Sequence, residues 1–292
     1  MDVSIIIVNY NTCKLTQEYI NSIYEYTSEI SFEVIVVDNA SHDESKEFLS
    51  KDTRINYLYL TSNLGFGKAN NVGLTYATGK YVFFLNSDTY LTCNIIKELC
   101  DFASLHSTLK IGALGILLTD EYMVHSPSFG QYYSLKSIVK NMFKRFDRSY
   151  DYTRTKLNEI KSKGYASVDY VNGADLFIPK AVLNHVGSFD PIFFMFLEEE
   201  DLQRRIGMAG YQRIVLNKKG VVHLKGKSFD GTVSYQRQAM FKKSTFLYVH
   251  RYYKHVTFCT IHFLYFMARL KKVLVDYRTF SLEQKIKYLF TN

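Results

Sequence analysis

Residues 3–8 read VSIIIV, and the pattern returns at 32–37 as FEVIVV, at 55–60 as INYLYL and at 81–85 as YVFFL. Runs this rich in β-branched and aromatic residues fit strands covered on both faces, as in a parallel sheet. The intervening stretches carry helical spacing. Leu15, Ile20, Ile23 and Tyr24 line one face over residues 15–26. Residues 41–49 open on Ser41 with Glu44 three positions on, a capping-box signature, and residues 69–77 read as a short helix. Strands alternating with helices predict an α/β fold with a mostly parallel sheet. In such sheets ligands bind beyond the carboxyl ends of the strands. Asn9, Asp38, Asn63 and Asn86-Ser87-Asp88 stand at those ends, so they are expected to converge on one edge.

Further along, residues 136–163 hold nine Lys or Arg against three acids with weak periodicity, and read as a loop excursion with a helical turn. Residues 168–171 resume strand character. Residues 198–208 read as a helix with an acidic first turn, which suits the helix dipole. Residues 236–275 are helical in pattern and strongly aromatic.

With 47% hydrophobic residues, 3 Pro and 15 Gly in 292, the chain is neither disordered nor collagenous. Its net charge of +8 is unevenly placed. From Tyr235 to Asn292 there are 11 basic and 2 acidic residues, a balance of +9, so the rest of the chain sums to −1. Such a tail is either a solvated basic face or a surface for a polyanion. No nucleic-acid motif accompanies it, which argues against a nucleic-acid partner. Cys13, Cys93, Cys100 and Cys259 have neither CxxC nor metal-ligand spacing and read as free thiols of a reducing compartment. No signal peptide is visible at the N-terminus, and the late apolar stretch 256–268 is too short for a bilayer. The expected location is cytoplasmic, either soluble or peripheral on the inner face of the membrane.

Several segments can carry chemistry. Asp38 ends a strand and can accept hydrogen bonds from a base or ribose, or serve as a βα-turn cap. The run from Asn63 to Gly73, NLGFGKANNVG, follows a strand and opens a helix; its glycines allow close backbone approach and the helix start can hold phosphate. It is neither GxGxxG nor a P-loop, so standard NAD and ATP cradles are not supported. Asp88, just past YVFFL, can ligate a divalent ion shared with a diphosphate. Glu198-Glu199-Glu200-Asp201 follows the apolar 193–197, which reads as a strand-like wall. Apolar surroundings there can raise a carboxyl pKa toward that of a general base. Asp201 and Arg205 are i,i+4 and can pair. His223 in VHLKGKS can offer imidazole to the metal or diphosphate, with Lys225 and Lys227 near phosphate charge.

Together and in order these segments resemble the family 2 glycosyltransferases, in particular the bacterial rhamnosyltransferase-like branch that builds surface polysaccharides. The matching stretches are SIIIVNYN (4–11), VIVVDNASHD (34–43), NLGFGKANNVGL (63–74), GKYVFFLNSD (79–88), residues 171–205 and HLKGKS (223–228). The resemblance implies a GT-A fold over residues 1–230, with a nucleotide-sugar half to about 100 and an acceptor half beyond, followed by a basic aromatic helical region over 231–292. It implies inverting, metal-dependent transfer from a nucleotide-diphosphate sugar, with dTDP-rhamnose favoured by that branch, to an oligosaccharide or lipid-linked acceptor; the alternatives are a hexosyl or N-acetylhexosaminyl transferase using a UDP-sugar, or a non-catalytic nucleotide-sugar-binding scaffold of the same fold.

By position, Asp38 would meet the nucleoside, and Asn63, Gly67 and Asn71 would line its pocket with Asn9, Asn86 and Ser87 at the strand ends. Asp88 would be the acid of a DxD-like motif holding Mg²⁺ or Mn²⁺, with His223 beside it. The family's Glu-Asp pair falls on Glu198-Glu199, with Glu199 the base. Two departures stand out. The first Asp of DxD is Asn86, and the usual Asp base is Glu199, with Glu200 adjacent and able to shift the register. A lipid-linked acceptor suits the basic aromatic tail, which then lies on an anionic membrane surface; the alternative is a helical cap buried against the core.

Overall fold

The computed structural model describes residues 1–132, 148–224 and 234–253, with 263, 266 and 267 besides. The strands in chain order are β1 (Val3–Asn9), β2 (Phe32–Asp38), β3 (Ile55–Tyr59), β4 (Tyr81–Asn86), β5 (Thr89–Leu91), β6 (Ile111–Ile116), β7 (Phe129–Gly130), β8 (Tyr165–Ser167), β9 (Tyr170–Val171), β10 (Asp175–Pro179), β11 (Gln212–Leu216) and β12 (Val221–His223). The helices are α1 (Cys13–Tyr26), α2 (Ser45–Leu49), α3 (Phe66–Tyr76), α4 (Ile95–Leu105), α5 (Arg148–Lys163), α6 (Lys180–Val186), α7 (Glu198–Met208) and α8 (Ser234–Tyr252).

Eight strands form one sheet in the order β3-β2-β1-β4-β10-β6-β11-β8. The first four are parallel; β10 enters antiparallel between β4 and β6, and β8 closes the far edge antiparallel to β11. The VSIIIV run is buried on both sides. Val3, Ile5 and Ile7 pack with Tyr19, Ile20 and Ile23 of α1 and Leu99 of α4, while Ile6 faces Ala69 of α3, Val182 of α6 and Leu202 of α7. Two helix-covered faces explain why the parallel strands are apolar throughout rather than alternating. The registers pair Asn9 with Asp38 and Val8 with Asn86, so the ends of β1, β2 and β4 share one edge. β5 and β12 form a small antiparallel ribbon, as do β7 and β9.

Several local expectations need correction. Helix α2 starts at Ser45 and Ser41 is not its cap: Ala40 takes a left-handed φ of 64°, and the Ser41 amide donates to Asp38 Oδ1 at 2.8 Å instead. Helix α3 begins at Phe66, three residues early, because Gly65 (φ 83°) turns the chain into it. Within 136–163, residues 148–163 form a helix rather than a loop, and 133–147 lie outside the described residues. Its buried side reduces to Ile160, with Tyr152 and Leu157 half-buried, too sparse a stripe to stand out among lysines. Of the 168–171 stretch only Tyr170–Val171 is strand, β9, and a separate strand, β8, precedes it over Tyr165–Ser167. The 193–197 stretch is not a strand but a tight turn, with Phe196 and Leu197 both left-handed (φ 72° and 67°).

The 236–275 helix is described as α8 to Tyr252; the apolar stretch 256–268 and Cys259 fall almost wholly outside the described residues, as do Lys225 and Lys227. Cys13, Cys93 and Cys100 are free thiols, and burial pushes Cys100 up to about 12. Among the described residues no helix is long and apolar enough to cross a membrane.

Candidate active site

The strand-end polar residues first serve the architecture. Asn9 is fully buried; its amide nitrogen donates to Ser41 Oγ (3.0 Å) and Ser45 Oγ (2.9 Å), and its oxygen accepts from Thr12 (2.9 Å) and Thr16 (2.8 Å). The Thr12 hydroxyl also reaches Ser87 Oγ at 3.1 Å, tying the β1–α1 loop to the Asn86-Ser87-Asp88 turn. Asp38, equally buried, accepts from Ser41 N–H and from the Tyr57 hydroxyl at 2.6 Å. Burial and that carboxylate hold the Tyr57 phenol far above its usual range. Both side chains thus brace loops from below the surface.

The glycine-rich turn is docked, not open. Asn63 Oδ1 accepts from Gly65 N–H (2.9 Å) and Asn39 Nδ2 (3.0 Å). At Gly65 a Cβ would sit 2.1 Å from the Phe194 carbonyl oxygen, and that oxygen accepts the Phe66 N–H at 2.9 Å. The first amide of α3, expected to be available to phosphate, is therefore taken by protein backbone. At Gly67 a Cβ would lie 3.1 Å from Phe189 Cβ and 3.5 Å from Glu198 Cβ. Asn71 exchanges two hydrogen bonds with the Phe189 backbone, at 2.7 and 3.1 Å. These contacts seat α3 against the 189–198 segment. Gly65→Ala combines a left-handed Cβ with a backbone clash, and is expected to cost about 3 kcal/mol. That corresponds to a melting temperature roughly 8 °C lower, checked by calorimetry.

Asp88 is buried at the β4–β5 turn. Its carbonyl accepts Leu224 N–H at 2.8 Å, and Oδ1 lies 3.3 Å from His223 Nε2 on the paired strand β12. His223 Nδ1 is buried without a hydrogen-bond partner. Two ligand atoms each about 2.1 Å from one octahedral ion, at right angles, lie roughly 3.0 Å apart, close to this spacing. Among the described residues no three His, Cys, Asp or Glu cluster to hold a metal. A cation here would thus keep positions for phosphate oxygens and water, the usual manner for Mg²⁺ with nucleotides.

The acidic run starts α7 as expected, with Asp201 Oδ2 accepting from Arg205 Nε at 2.9 Å. Glu198 is buried, and its Oε2 has no hydrogen-bond partner. Burial, then the neighbouring Glu199, pushes its carboxyl far above the usual range. Glu199 is half-buried; burial raises it too, while backbone amides pull the other way. Two adjacent carboxyls share charge poorly. Of the two, burial raises the deeper Glu198 further than Glu199.

A Cβ on Gly173 would lie 3.5 Å from the Glu199 side chain, and the next residue, Ala174, accepts Asn86 N–H at 3.4 Å. Glu199 and the Asn86–Asp88 turn therefore border one turn, residues 172–174. The part played by Gly173, and the left-handed pair at 196–197 that aims α7, left no signal in the residue pattern.

Residues 4–109 match the model of glycosyl transferase family 2. A poly(ribitol-phosphate) β-N-acetylglucosaminyltransferase, TarS of Staphylococcus aureus, is 32% identical over 112 residues, covering 36% of this chain and 19% of TarS. An N-acetylglucosaminyl-diphospho-decaprenol L-rhamnosyltransferase of Mycobacterium tuberculosis is 26% identical over 229 residues, 74% of each chain. Among solved structures, the mannosyltransferase PcManGT of Pyrobaculum calidifontis, in complex with GDP-Man and Mn²⁺, superposes with a TM-score of 0.58 at 18% identity, covering 97% of this chain and 77% of that one. The match to TarS spans about a fifth of that protein's length, whereas the rhamnosyltransferase aligns over most of both chains. Family model, relatives and the GT-A architecture of the sheet agree with the resemblance to family 2 glycosyltransferases read from the sequence, the family model over residues 4–109.

Proposed function

We propose that the chain is an inverting glycosyltransferase that moves rhamnose from dTDP-rhamnose to a lipid-linked oligosaccharide of a bacterial surface polysaccharide. The observation that carries this is the 172–174 turn, bordered by Glu199 on one side and the Asn86–Asp88 turn on the other. Inversion needs one in-line displacement at the anomeric carbon. The attacking acceptor hydroxyl must lose its proton, so an ionised carboxylate within hydrogen-bond reach is required. Glu199 takes that proton. Asp88 and His223 would hold a Mg²⁺ or Mn²⁺, which would supply charge stabilisation for the departing nucleoside diphosphate. Asn63, Gly67 and Asn71 shape the donor side by locking α3 to the 189–198 segment, and Asn9, Asp38, Asn86 and Ser87 form the floor beneath the nucleotide.

The rhamnosyl group and the lipid-linked acceptor follow the relative that aligns over most of the chain, whose name carries an L-rhamnosyl transfer and a diphospho-decaprenol acceptor; the dTDP carrier follows from the resemblance to the rhamnosyltransferase-like branch. Peripheral attachment of the basic tail to an anionic membrane belongs to the same reading. A thermal-shift comparison of dTDP-rhamnose, UDP-GlcNAc and GDP-mannose, with and without Mn²⁺, tests it. At 100 times its Kd a ligand stabilises the fold by about 2.7 kcal/mol. dTDP-rhamnose is expected to raise the melting temperature several degrees in a Mn²⁺-dependent way. A shift with UDP-GlcNAc alone would reassign the donor, and no shift with any donor would remove the transferase reading.

A further inference from the structure

We infer that Arg251 and Tyr252, at the end of α8, are positioning residues for Glu199, acting through Asp201. The inference rests on the reading of Glu199 as the base. Asp201 is fully buried, and its carboxylate is the centre of a closed hub. Oδ1 accepts from Arg251 Nη1 and from the Tyr252 hydroxyl, each at 2.7 Å; Oδ2 accepts from Arg205 Nε at 2.9 Å. Arg205 spends its other two nitrogens on the carbonyls of Val186 (2.8 Å) and Ser188 (2.7 Å). Arg251 spends its second on Asp190.

Arg251 thus bridges Asp190 and Asp201, the two ends of the segment that contains the left-handed Phe196 and Leu197. Residues held in sparsely populated backbone regions persist only where their surroundings over-determine them. Here those surroundings are supplied largely by α8. Besides the Arg251 bridge, Ser244 Oγ donates to the Met195 carbonyl at 2.7 Å, and Tyr248 packs with Phe193 and Leu197. One turn later on α7, the Arg204 guanidinium donates to the Tyr248 hydroxyl at 3.1 Å and lies 4.1 Å from the Tyr252 ring centroid. Residues two apart on a helix face different sides. Asp201 is therefore gripped from the α8 side while Glu199 faces Gly173, and the grip fixes where the Glu199 carboxylate lies without contacting it.

The test uses the full chain, with nucleoside diphosphate release from the donor chosen by the thermal screen. Arg251→Ala is expected to lower kcat about 100-fold, the effect of roughly 1 Å of misplacement at a reacting group. The affinity for dTDP or UDP with Mn²⁺, measured by calorimetry, is expected to change less than twofold. Arg251→Lys should restore only part of kcat, since an ammonium cannot span both carboxylates as the fork does. Tyr252→Phe, which removes one hydroxyl, is expected to lower kcat several-fold and decides the matter if Arg251→Ala does not fold. A folded variant with unchanged kcat, or one losing nucleotide affinity in proportion to kcat, overturns the inference. Glu199→Gln separates the two readings. If it is inactive while Arg251→Ala is unimpaired, only the positioning role falls; if it turns over normally, the base assignment falls and the positioning role with it.

Discussion

A Glu199→Gln protein is expected to bind its nucleotide sugar and Mn²⁺ as the wild type does, and to transfer almost nothing. Removing a general base costs about 10²–10⁴-fold, and the amide is nearly isosteric, so the Gly173 contact survives and the fold should not suffer. The measurement is single-turnover transfer beside donor affinity; turnover within tenfold of wild type would reject Glu199 as the base. The pH profile gives a second reading. Burial raises the Glu199 carboxyl, and the base must be ionised to work. The acid limb of kcat should therefore lie above the ordinary carboxylate range, with activity falling as pH drops through it. A profile flat down to the usual glutamate range would place the essential carboxylate elsewhere.

Asp88→Ala is expected to be comparably severe for a different reason. It removes the carboxylate that faces His223 Nε2 at 3.3 Å. Lewis-acid stabilisation of developing charge amounts to several kcal/mol, so a loss of about 10³-fold in kcat/KM follows. Unlike Glu199→Gln, this variant should also lose the Mn²⁺ dependence of nucleotide binding. Titration calorimetry with dTDP, with and without Mn²⁺, checks it; a metal effect retained in full would clear Asp88 of the ligand role.

How much could be read in advance depended on what kind of force set each feature. The buried strands were legible because burial on both faces forces apolar side chains at every position, and β1, β2 and β4 fall where the runs fall. Helix α7 was legible from its acidic first turn and the Asp201–Arg205 spacing. Helix α5 was not: it covers one edge strand and needs few apolar residues to do so. The turn at 196–197 was invisible because left-handed phenylalanine and leucine are imposed by tertiary contacts, against their own preference. At the site, the residue types could be read but not their partners. Nothing in NLGFGKANN says that its glycines make room for the carbonyl of Phe194 and the side chain of Glu198. Nor does Asp38 at a strand end announce that a tyrosine hydroxyl already occupies it. Arg251 was lost in a tail noticed for its net charge and its aromatic, helical pattern.

The late entry of β10 between β4 and β6 has a consequence for biosynthesis. During translation, β1 to β4 emerge as a four-stranded half-sheet whose open side is the edge of Tyr81-Val82-Phe83-Phe84-Leu85, waiting for residues 175–179. An apolar rim left bare so long invites pairing with other nascent chains. Excising residues 4–109 as a self-contained module would make that temporary hazard permanent, so the smallest piece able to stand alone must run past Pro179.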